Sequence, residues 1–122
     1  MHHILAGATI YLMDDISTQL RKGSLELAVL TLLSTQPRYG VEVVDDLSAR
    51  PGLEATSGTI YPLLTRLKNS GLVETTWQES PVGPPRKYYR LSPAGQAQLA
   101  SQRTAWKQLV HAMNTLFEEA GR

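Results

Sequence analysis

The sequence predicts a mainly α-helical fold with a small β-hairpin, and three observations lead to that prediction. Apolar residues recur at three- and four-residue spacing in four separate stretches, which is the period of an amphipathic helix. Two short segments with strand character flank a loop that contains three prolines. The chain has 122 residues, of which 42% are hydrophobic. That length suits one small domain with an appended helix and leaves no room for a two-domain enzyme.

The first two predicted helices lie in the first half of the chain. Residues 25–34 carry broad apolar faces, and Ser24 is the candidate N-cap. Pro37 ends this helix, because the residue before a proline is pushed out of the α region. A Tyr-Gly turn at residues 39–40 leads into the second helix. The Pro-Gly pair at residues 51–52 closes that helix.

The third predicted helix lies within residues 59–70. Its apolar residues repeat at helical spacing, and Gly71 supplies the left-handed residue that commonly follows a helix. Thr59 is the preferred N-cap, because it places Pro62 at the third helical position, where a missing N–H is unpaired in any case. A start at Ser57 would instead make Pro62 cost a hydrogen bond.

A β-hairpin and a long helix complete the chain. The strands are predicted at residues 72–78 and 86–91, and Ser92 caps a helix that begins at Pro93 and runs to about Phe117. Apolar residues at heptad spacing on a helix of about 25 residues need a partner surface. We expect dimerisation through this helix, the alternative being a helix folded back on the core. The predicted dimer interface consists of Leu99, Trp106, Leu109, Val110, Met113, Leu116 and Phe117.

The charge of the chain is nearly balanced but unevenly distributed. Twelve Lys and Arg residues face eleven Asp and Glu residues, for a net charge of +1. Residues 80–117 contain no acidic side chain, although five basic ones lie there: Arg86, Lys87, Arg90, Arg103 and Lys107. A local surplus of this kind suits contacts with phosphates, the alternative being a solvated basic face.

Several function classes are excluded or disfavoured by what the sequence lacks. Without cysteine there is no disulfide framework, thiolate catalysis or cysteine-ligated metal. No glycine-rich phosphate loop, HExxH pair or nucleophile elbow occurs, so no catalytic residue, metal or cofactor is expected. His111 is interpreted as a helical surface or interface residue, and residues 45–46 as a solvated acidic turn. The longest apolar stretch, residues 4–13, is too short to cross a bilayer and resembles no signal peptide, so a cytoplasmic protein without membrane contact is expected.

Three helices followed by a hairpin is the element order of a winged helix-turn-helix. In that fold the second helix of the pair enters the major groove and the hairpin, or wing, reaches the backbone or minor groove. The third predicted helix therefore supplies candidate DNA contacts, with packing against the first helix as the alternative for Tyr61. Solvated surface charge is the alternative for Arg66 and Lys68. Arg86 and Lys87 are the candidate contacts from the wing.

A combination of short motifs supports this interpretation. The motifs are Tyr-Gly, Gly-Thr-x-Tyr-Pro and Arg-Lys-Tyr-Tyr, each weak alone and specific at these spacings. They lie within matching segments at residues 21–27, 37–40, 58–67, 71–73, 77, 86–89 and 91–95. With these segments, over about residues 20–117, the chain resembles the PadR family of bacterial transcriptional regulators.

The resemblance implies a homodimeric winged-helix repressor of the short subgroup, whose C-terminal helix packs against its partner. Such proteins repress nearby efflux, detoxification or stress genes, and some bind flat aromatic compounds. Trp106 is the candidate stacking residue for such an effector, with a plain interface tryptophan as the alternative. The wing departs from the family pattern, because prolines at residues 84–85 replace a basic residue. The predicted DNA contacts are Tyr39, Ser57, Thr59, Tyr61, Pro62, Thr65, Arg66, Lys68, Arg86 and Lys87.

The domain organisation follows from these elements. We expect an N-terminal extension of unassigned role at residues 1–15, the winged helix-turn-helix at residues 16–91 and the C-terminal dimerisation helix at residues 92–122. Residues 1–12 have no counterpart at the usual start of the family. The predicted function is a dimeric repressor that binds an inverted repeat in double-stranded DNA and is released by an aromatic ligand. The alternative is a dimeric interaction or ligand-sensing module that binds no operator.

Overall fold

The computed structural model describes residues 20–21 and 23–122. The predicted N-terminal extension, residues 1–15, and the start of the adjoining domain lie outside these residues. The helices and strands follow one another as α1 (Leu25–Thr35), β1 (Arg38–Tyr39), α2 (Gly40–Ser48), α3 (Ser57–Asn69), β2 (Val73–Gln78), β3 (Arg86–Leu91) and α4 (Pro93–Ala120). The mainly α-helical fold with a small hairpin is therefore confirmed.

Helix α1 begins where it was predicted to begin, but without the predicted capping hydrogen bond. Ser24 precedes the helix, yet its hydroxyl makes no capping hydrogen bond and instead donates to the carbonyl of Leu20 at 3.5 Å. The backbone of Ser24 is already in the α region, and its N–H donates to the carbonyl of Arg21 at 2.8 Å. The chain thus turns before α1 begins, so the predicted side-chain cap at Ser24 is wrong.

The predicted start of α3 is also wrong. The helix begins at Ser57 behind an N-cap at Thr56, whose carbonyl accepts from the N–H groups of Thr59 and Ile60, both at 3.0 Å. Pro62 consequently lies inside the helix and removes one backbone donor. Ile60, in the first turn of the helix, has no exposed surface and belongs to the core. Burying such a side chain stabilises the fold by roughly 1.5–3 kcal/mol, more than the roughly 1 kcal/mol of one hydrogen bond.

The sheet contains one strand more than the predicted hairpin. Its order is β1-β3-β2, all antiparallel. The β2–β3 register runs from Val73 opposite Leu91 to Gln78 opposite Arg86, close to the predicted strands. The additional strand, β1, has only two residues and pairs with β3 through Tyr39 opposite Tyr88. Two residues carry no periodic signal, which is why the sequence did not reveal this strand.

One hydrophobic core joins α1, α2, α3, the sheet and the beginning of α4. The buried apolar side chains are Leu25, Val29, Leu30, Leu32, Leu33, Val43, Leu47, Ile60, Leu64, Leu67, Val73, Tyr89 and Leu99. The predicted cap of α4 is confirmed, because the hydroxyl of Ser92 accepts from the N–H of Gly95 at 3.0 Å. The same hydroxyl donates to the carbonyl of Gly71 at 2.5 Å. A Cβ at Gly95 would overlap the carbonyl oxygen of Leu72, so glycine allows α4 to cross closely over the start of β2.

The long helix α4 changes character along its length. Leu99 is only 6% exposed and belongs to the core of its own chain, so its assignment to the dimer interface is corrected. From residue 103 onward every side chain is exposed in the single chain. The remaining predicted interface residues form an apolar face there: Trp106, Leu109, Val110, Met113, Leu116 and Phe117. Within the described ranges, no helix combines the length and hydropathy of a membrane span.

Candidate nucleic-acid interface

The exposed surface of α3 divides into a central face and two flanks. Its core side holds Ile60, Leu64 and Leu67, and a helix advances about 100° per residue. The exposed residues opposite that core side are Gly58, Pro62, Thr65 and Asn69. Thr59 and Arg66 lie on the flank toward α1, whereas Tyr61 and Lys68 lie on the flank toward the sheet. Ser57 is exposed at the N-terminal end of the helix.

Tyr61 packs against the second helix rather than against the first. A Cβ at Gly40, the first residue of α2, would overlap the ring of Tyr61. Glycine therefore sets the close approach of the two helices of the helix-turn-helix. The pKa of Tyr89 is raised, first by burial of its hydroxyl and second by the nearby Tyr61. Tyr61 thus serves the packing of the motif, and part of its surface stays open at the same time.

Arg66 is held by a side chain from α1. Its guanidinium lies 3.0 Å from one carboxylate oxygen of Glu26, and the amide of Gln102 donates to the other oxygen at 2.6 Å. One carboxylate therefore links α1, α3 and α4. This arrangement turns Arg66 toward α1 and away from the central face of α3, although its side chain stays largely exposed.

The two candidate DNA contacts of the wing, Arg86 and Lys87, point to opposite faces of the sheet. Successive side chains of a strand alternate, so Arg86 and Lys87 separate. The guanidinium of Arg86 lies 4.5 Å from the centre of the Tyr39 ring, a cation–π contact. The Tyr39 ring in turn meets Tyr88 edge-on, with 5.6 Å between ring centres. Tyr39 and Arg86 are thereby brought together on the sheet face that does not carry Lys87.

Lys87 joins the wing to α3. Its ammonium group lies 5.7 Å from the centre of the Tyr89 ring. Its pKa is lowered, first by desolvation and then by the neighbouring ammonium of Lys68 on α3. Within residues 23–122 neither lysine forms an ion pair with a carboxylate. Two adjacent ammonium groups without a counter-ion are suited to an anion such as a phosphate.

Two exposed residues were not identified as candidate contacts from the sequence. Asn69 lies four residues after Thr65, on the central face of α3, and that helical spacing could have revealed it. Trp77 lies at the end of β2, is 67% exposed and is the cross-strand partner of Lys87. The sequence indicated Trp77 only as part of the matching segments. A single tryptophan in a strand is usually a packing residue, so it was not predicted to contact DNA.

No described group of residues suggests catalysis or metal binding. Among residues 20–21 and 23–122 there is no cluster of three or more His, Asp and Glu side chains that could hold a metal ion. The expected acidic turn at residues 45–46 is wrong, because both residues lie within α2. Asp46 pairs with Arg38, which also donates to the carbonyl of Leu32 at 3.2 Å. His111 is exposed on α4.

Trp106 borders a groove on the surface of α1. The groove has a volume of about 430 Å³ and is lined mainly by apolar atoms. Besides Trp106, its lining includes Leu27, Ala28 and Thr31 of α1 and Leu53 after α2. A planar apolar group would find an aromatic ring on one side of this groove and aliphatic side chains on another.

Comparison with known proteins identifies the family. The model of the transcriptional regulator PadR-like family matches residues 29–101, which include the helix-turn-helix, the wing and the start of α4. The chain belongs to the PadR-like family of transcriptional regulators. It is therefore a DNA-binding regulator, from a family of regulators rather than enzymes.

Individual relatives support this assignment. Transcriptional regulator Rv3488 of Mycobacterium tuberculosis is 32% identical over 91 residues, covering 75% of this chain and 83% of the relative. A PadR family transcriptional regulator from Eggerthella lenta has a similar structure, with 32% identity and a TM-score of 0.81, over 91% and 96% of the two chains. A PadR-like regulator from Bacillus cereus shows 34% identity and a TM-score of 0.75, over 81% and 96%.

Proposed function

We propose that this PadR-like chain is a dimeric repressor that binds an inverted repeat in double-stranded DNA. The observation that carries the proposal is the exposed central face of α3, with Lys68 on its flank and Lys87 on the neighbouring wing; within residues 23–122 neither lysine has a carboxylate partner. The two ammonium groups would hold a backbone phosphate. Pro62, Thr65 and Asn69 would then face the base edges of the major groove.

Dimerisation through α4 supplies the symmetry of the proposed site. The apolar face beyond residue 103 is exposed in the single chain. A second copy related by a two-fold axis would cover this face with its own, so that both faces are buried together. Two α3 helices related by a two-fold axis would enter successive major grooves about 34–36 Å apart. The operator would accordingly be an inverted repeat with half-sites one helical turn apart.

The remaining predicted contacts take different places in this proposal. Ser57 and Thr59, near the N-terminus of α3, are assigned to the DNA backbone, because helix N-terminal amides and hydroxyls suit phosphate oxygens. Arg86 is assigned to the backbone from the far side of the wing, with Tyr39 beneath it. Arg66 is assigned mainly to the Glu26 link, since its guanidinium is already engaged there.

Fluorescence anisotropy with a labelled duplex from the region upstream of the gene tests DNA binding. The wild-type protein should prefer this duplex over a scrambled duplex of equal composition at moderate salt. Changing Lys68 and Lys87 together to Met should weaken binding to both duplexes and reduce the slope of log affinity against log salt by about 2, one phosphate contact at each half-site. Arg90→Met is the matched control, because Arg90 already pairs with Glu74 at 2.9 Å.

Specific outcomes contradict the proposal. Equal affinity for both duplexes would exclude a sequence-specific repressor and favour the interaction or ligand-sensing module. An unchanged salt slope in the double variant would show that Lys68 and Lys87 do not contact a phosphate.

We further propose that a flat aromatic effector binds beside Trp106 and releases the repressor from nearby efflux, detoxification or stress genes. The groove of about 430 Å³ next to this ring supports the proposal. In a Trp77→Phe background, Trp106 is the remaining tryptophan, because the chain contains two. Its fluorescence should be quenched by planar aromatic compounds, and an unchanged spectrum across a small panel of them would exclude such an effector.

A further inference from the structure

Trp77 is a large aromatic residue that stays largely exposed in the part of the chain that the structure describes. It is 67% exposed at the end of β2, whereas tryptophan is on average one of the more buried residues. The alternation along β2 places Trp77 on the same sheet face as Val73, which lies in the core. This is the face that also carries Lys87 and that lies toward α3. An uncovered indole in this position is available to whatever molecule α3 contacts.

The tip of the wing is apolar and restrained. Residues 80–85 contain no charged side chain, and Val82 at the tip is 82% exposed. The hydroxyl of Ser80 donates to the carbonyl of Val82 at 3.0 Å, which closes the turn on itself. Gly83 has a φ of +102°, a conformation that other residues rarely adopt. The three prolines and this turn leave little conformational entropy to lose on binding.

Apolar surface and positive charge therefore adjoin on the edge of the wing where Trp77 faces Lys87, and the exposed Glu79 lies between Trp77 and Val82 in the chain. Trp77 lies directly opposite Lys87 across the strands, and Lys87 lies beside Lys68. A partner that covers this edge must offer apolar surface bordered by negative charge. The minor groove of DNA has that chemistry, since sugar rings form its walls and phosphates its rims.

We propose that Trp77 and Val82 form an apolar wedge that enters the minor groove beside each half-site. This inference rests on the proposed function and deepens it: the wing contributes through apolar contact where the family's usual basic residue is replaced by proline. Lys87 holds the phosphate at the rim, and Trp77 lies against the sugars and base edges within. Because apolar contacts release no counter-ions, this part of the affinity is insensitive to salt.

A pair of cross-strand variants separates the two contributions. Trp77→Ala should bind the upstream duplex roughly tenfold more weakly, with an unchanged salt slope. Lys87→Met should also bind more weakly, but with a reduced salt slope. Val82→Ala is the second wedge variant, and its largely exposed position at the tip should leave folding intact. Thermal unfolding of each variant checks that the fold is retained.

A modified duplex tests the groove itself. Replacing G·C pairs by inosine·cytosine pairs in the flanks removes the guanine amino group from the minor groove and leaves the major groove unchanged. Wild-type affinity should rise on this replacement, and Trp77→Ala should lose the response.

The outcomes separate this inference from the proposed function. If the wild-type protein prefers its duplex but Trp77→Ala and Val82→Ala bind as tightly, the wedge is refuted and the repressor stands. A reduced salt slope in Trp77→Ala would also refute it, because the indole would then act through the lysines. If the wild-type protein binds no duplex specifically, both proposals fall together.

Discussion

The exposed face of α4 makes a quantitative prediction about dimer stability. Leu109 is 55% exposed in the single chain and lies at the middle of the apolar face beyond residue 103. We expect Leu109→Ala to weaken the dimer without changing the fold of the protomer. Leu99→Ala is the matched comparison, because Leu99 is a leucine on the same helix that is buried in the chain's own core.

The magnitude follows from the exposed fraction. Burying a whole leucine side chain contributes roughly 1.5–3 kcal/mol, so hiding about half of one contributes about 1–1.5 kcal/mol. A two-fold interface contains the residue twice, which doubles the effect to roughly 2–3 kcal/mol. That free energy corresponds to a dimer Kd roughly 30- to 150-fold higher. Leu99→Ala, by contrast, leaves a core cavity and should lower the free energy of unfolding by about 2–5 kcal/mol.

Sedimentation equilibrium over a dilution series measures the dimer Kd of the folded protein, and urea unfolding measures stability. Leu109→Ala should raise the dimer Kd strongly. Leu99→Ala should lower the free energy of unfolding and leave the dimer Kd of the folded protein nearly unchanged. A dimer as tight in Leu109→Ala as in wild type would refute the assignment of this face. So would a dimer weakened equally by both variants, because Leu99 would then contribute to the interface.

Three further predictions concern the helix-turn-helix and the wing. Gly40→Ala should lower the free energy of unfolding by about 1–3 kcal/mol, because the new methyl group overlaps the ring of Tyr61. Adding Tyr61→Ala should recover most of this loss, as measured by urea titration. Glu26→Gln should cost about 1 kcal/mol, because its partner Arg66 is 60% exposed although the Glu26 side chain itself is only 23% exposed, and a loss above about 3 kcal/mol would show that the pair behaves as a buried one. DNA affinity should fall as the pH rises through the lowered pKa of Lys87, because the lysine loses its charge. The free energy of unfolding should rise over the same pH range, up to about 10.5, because the unfolded chain still binds the proton that the folded chain has lost. Lys87→Met should show neither change.

Periodic elements were predictable from the sequence, and irregular ones were not. The helices and the hairpin depend on repeated apolar spacing and on local stop signals, so α1, β3 and the Ser92 cap were predicted closely. The two-residue strand β1 has no period and exists only because β3 lies beside it. The start of α3 was predicted from the local cost of Pro62, whereas the folded chain keeps Pro62 inside the helix.

The candidate site shows the same division. Helical spacing predicted which residues of α3 would be exposed, but not that Glu26 would hold Arg66. Those two residues are separated by 40 positions in the chain, and no local pattern links them. The adjacency of Lys68 and Lys87 likewise depends on how the wing packs against α3.

By itself, the sequence determined the order of the elements, the family resemblance and the presence of an apolar stripe on the last helix. Those properties follow from local periodicity and from short motifs, which are complete within a few neighbouring residues. Only the tertiary structure decided that Leu99 belongs to the core while Leu109 stays exposed, and that Trp77 shares an edge with Lys87. The physical reason is that burial and charge proximity are relations between distant segments, which the packing of the core alone brings together.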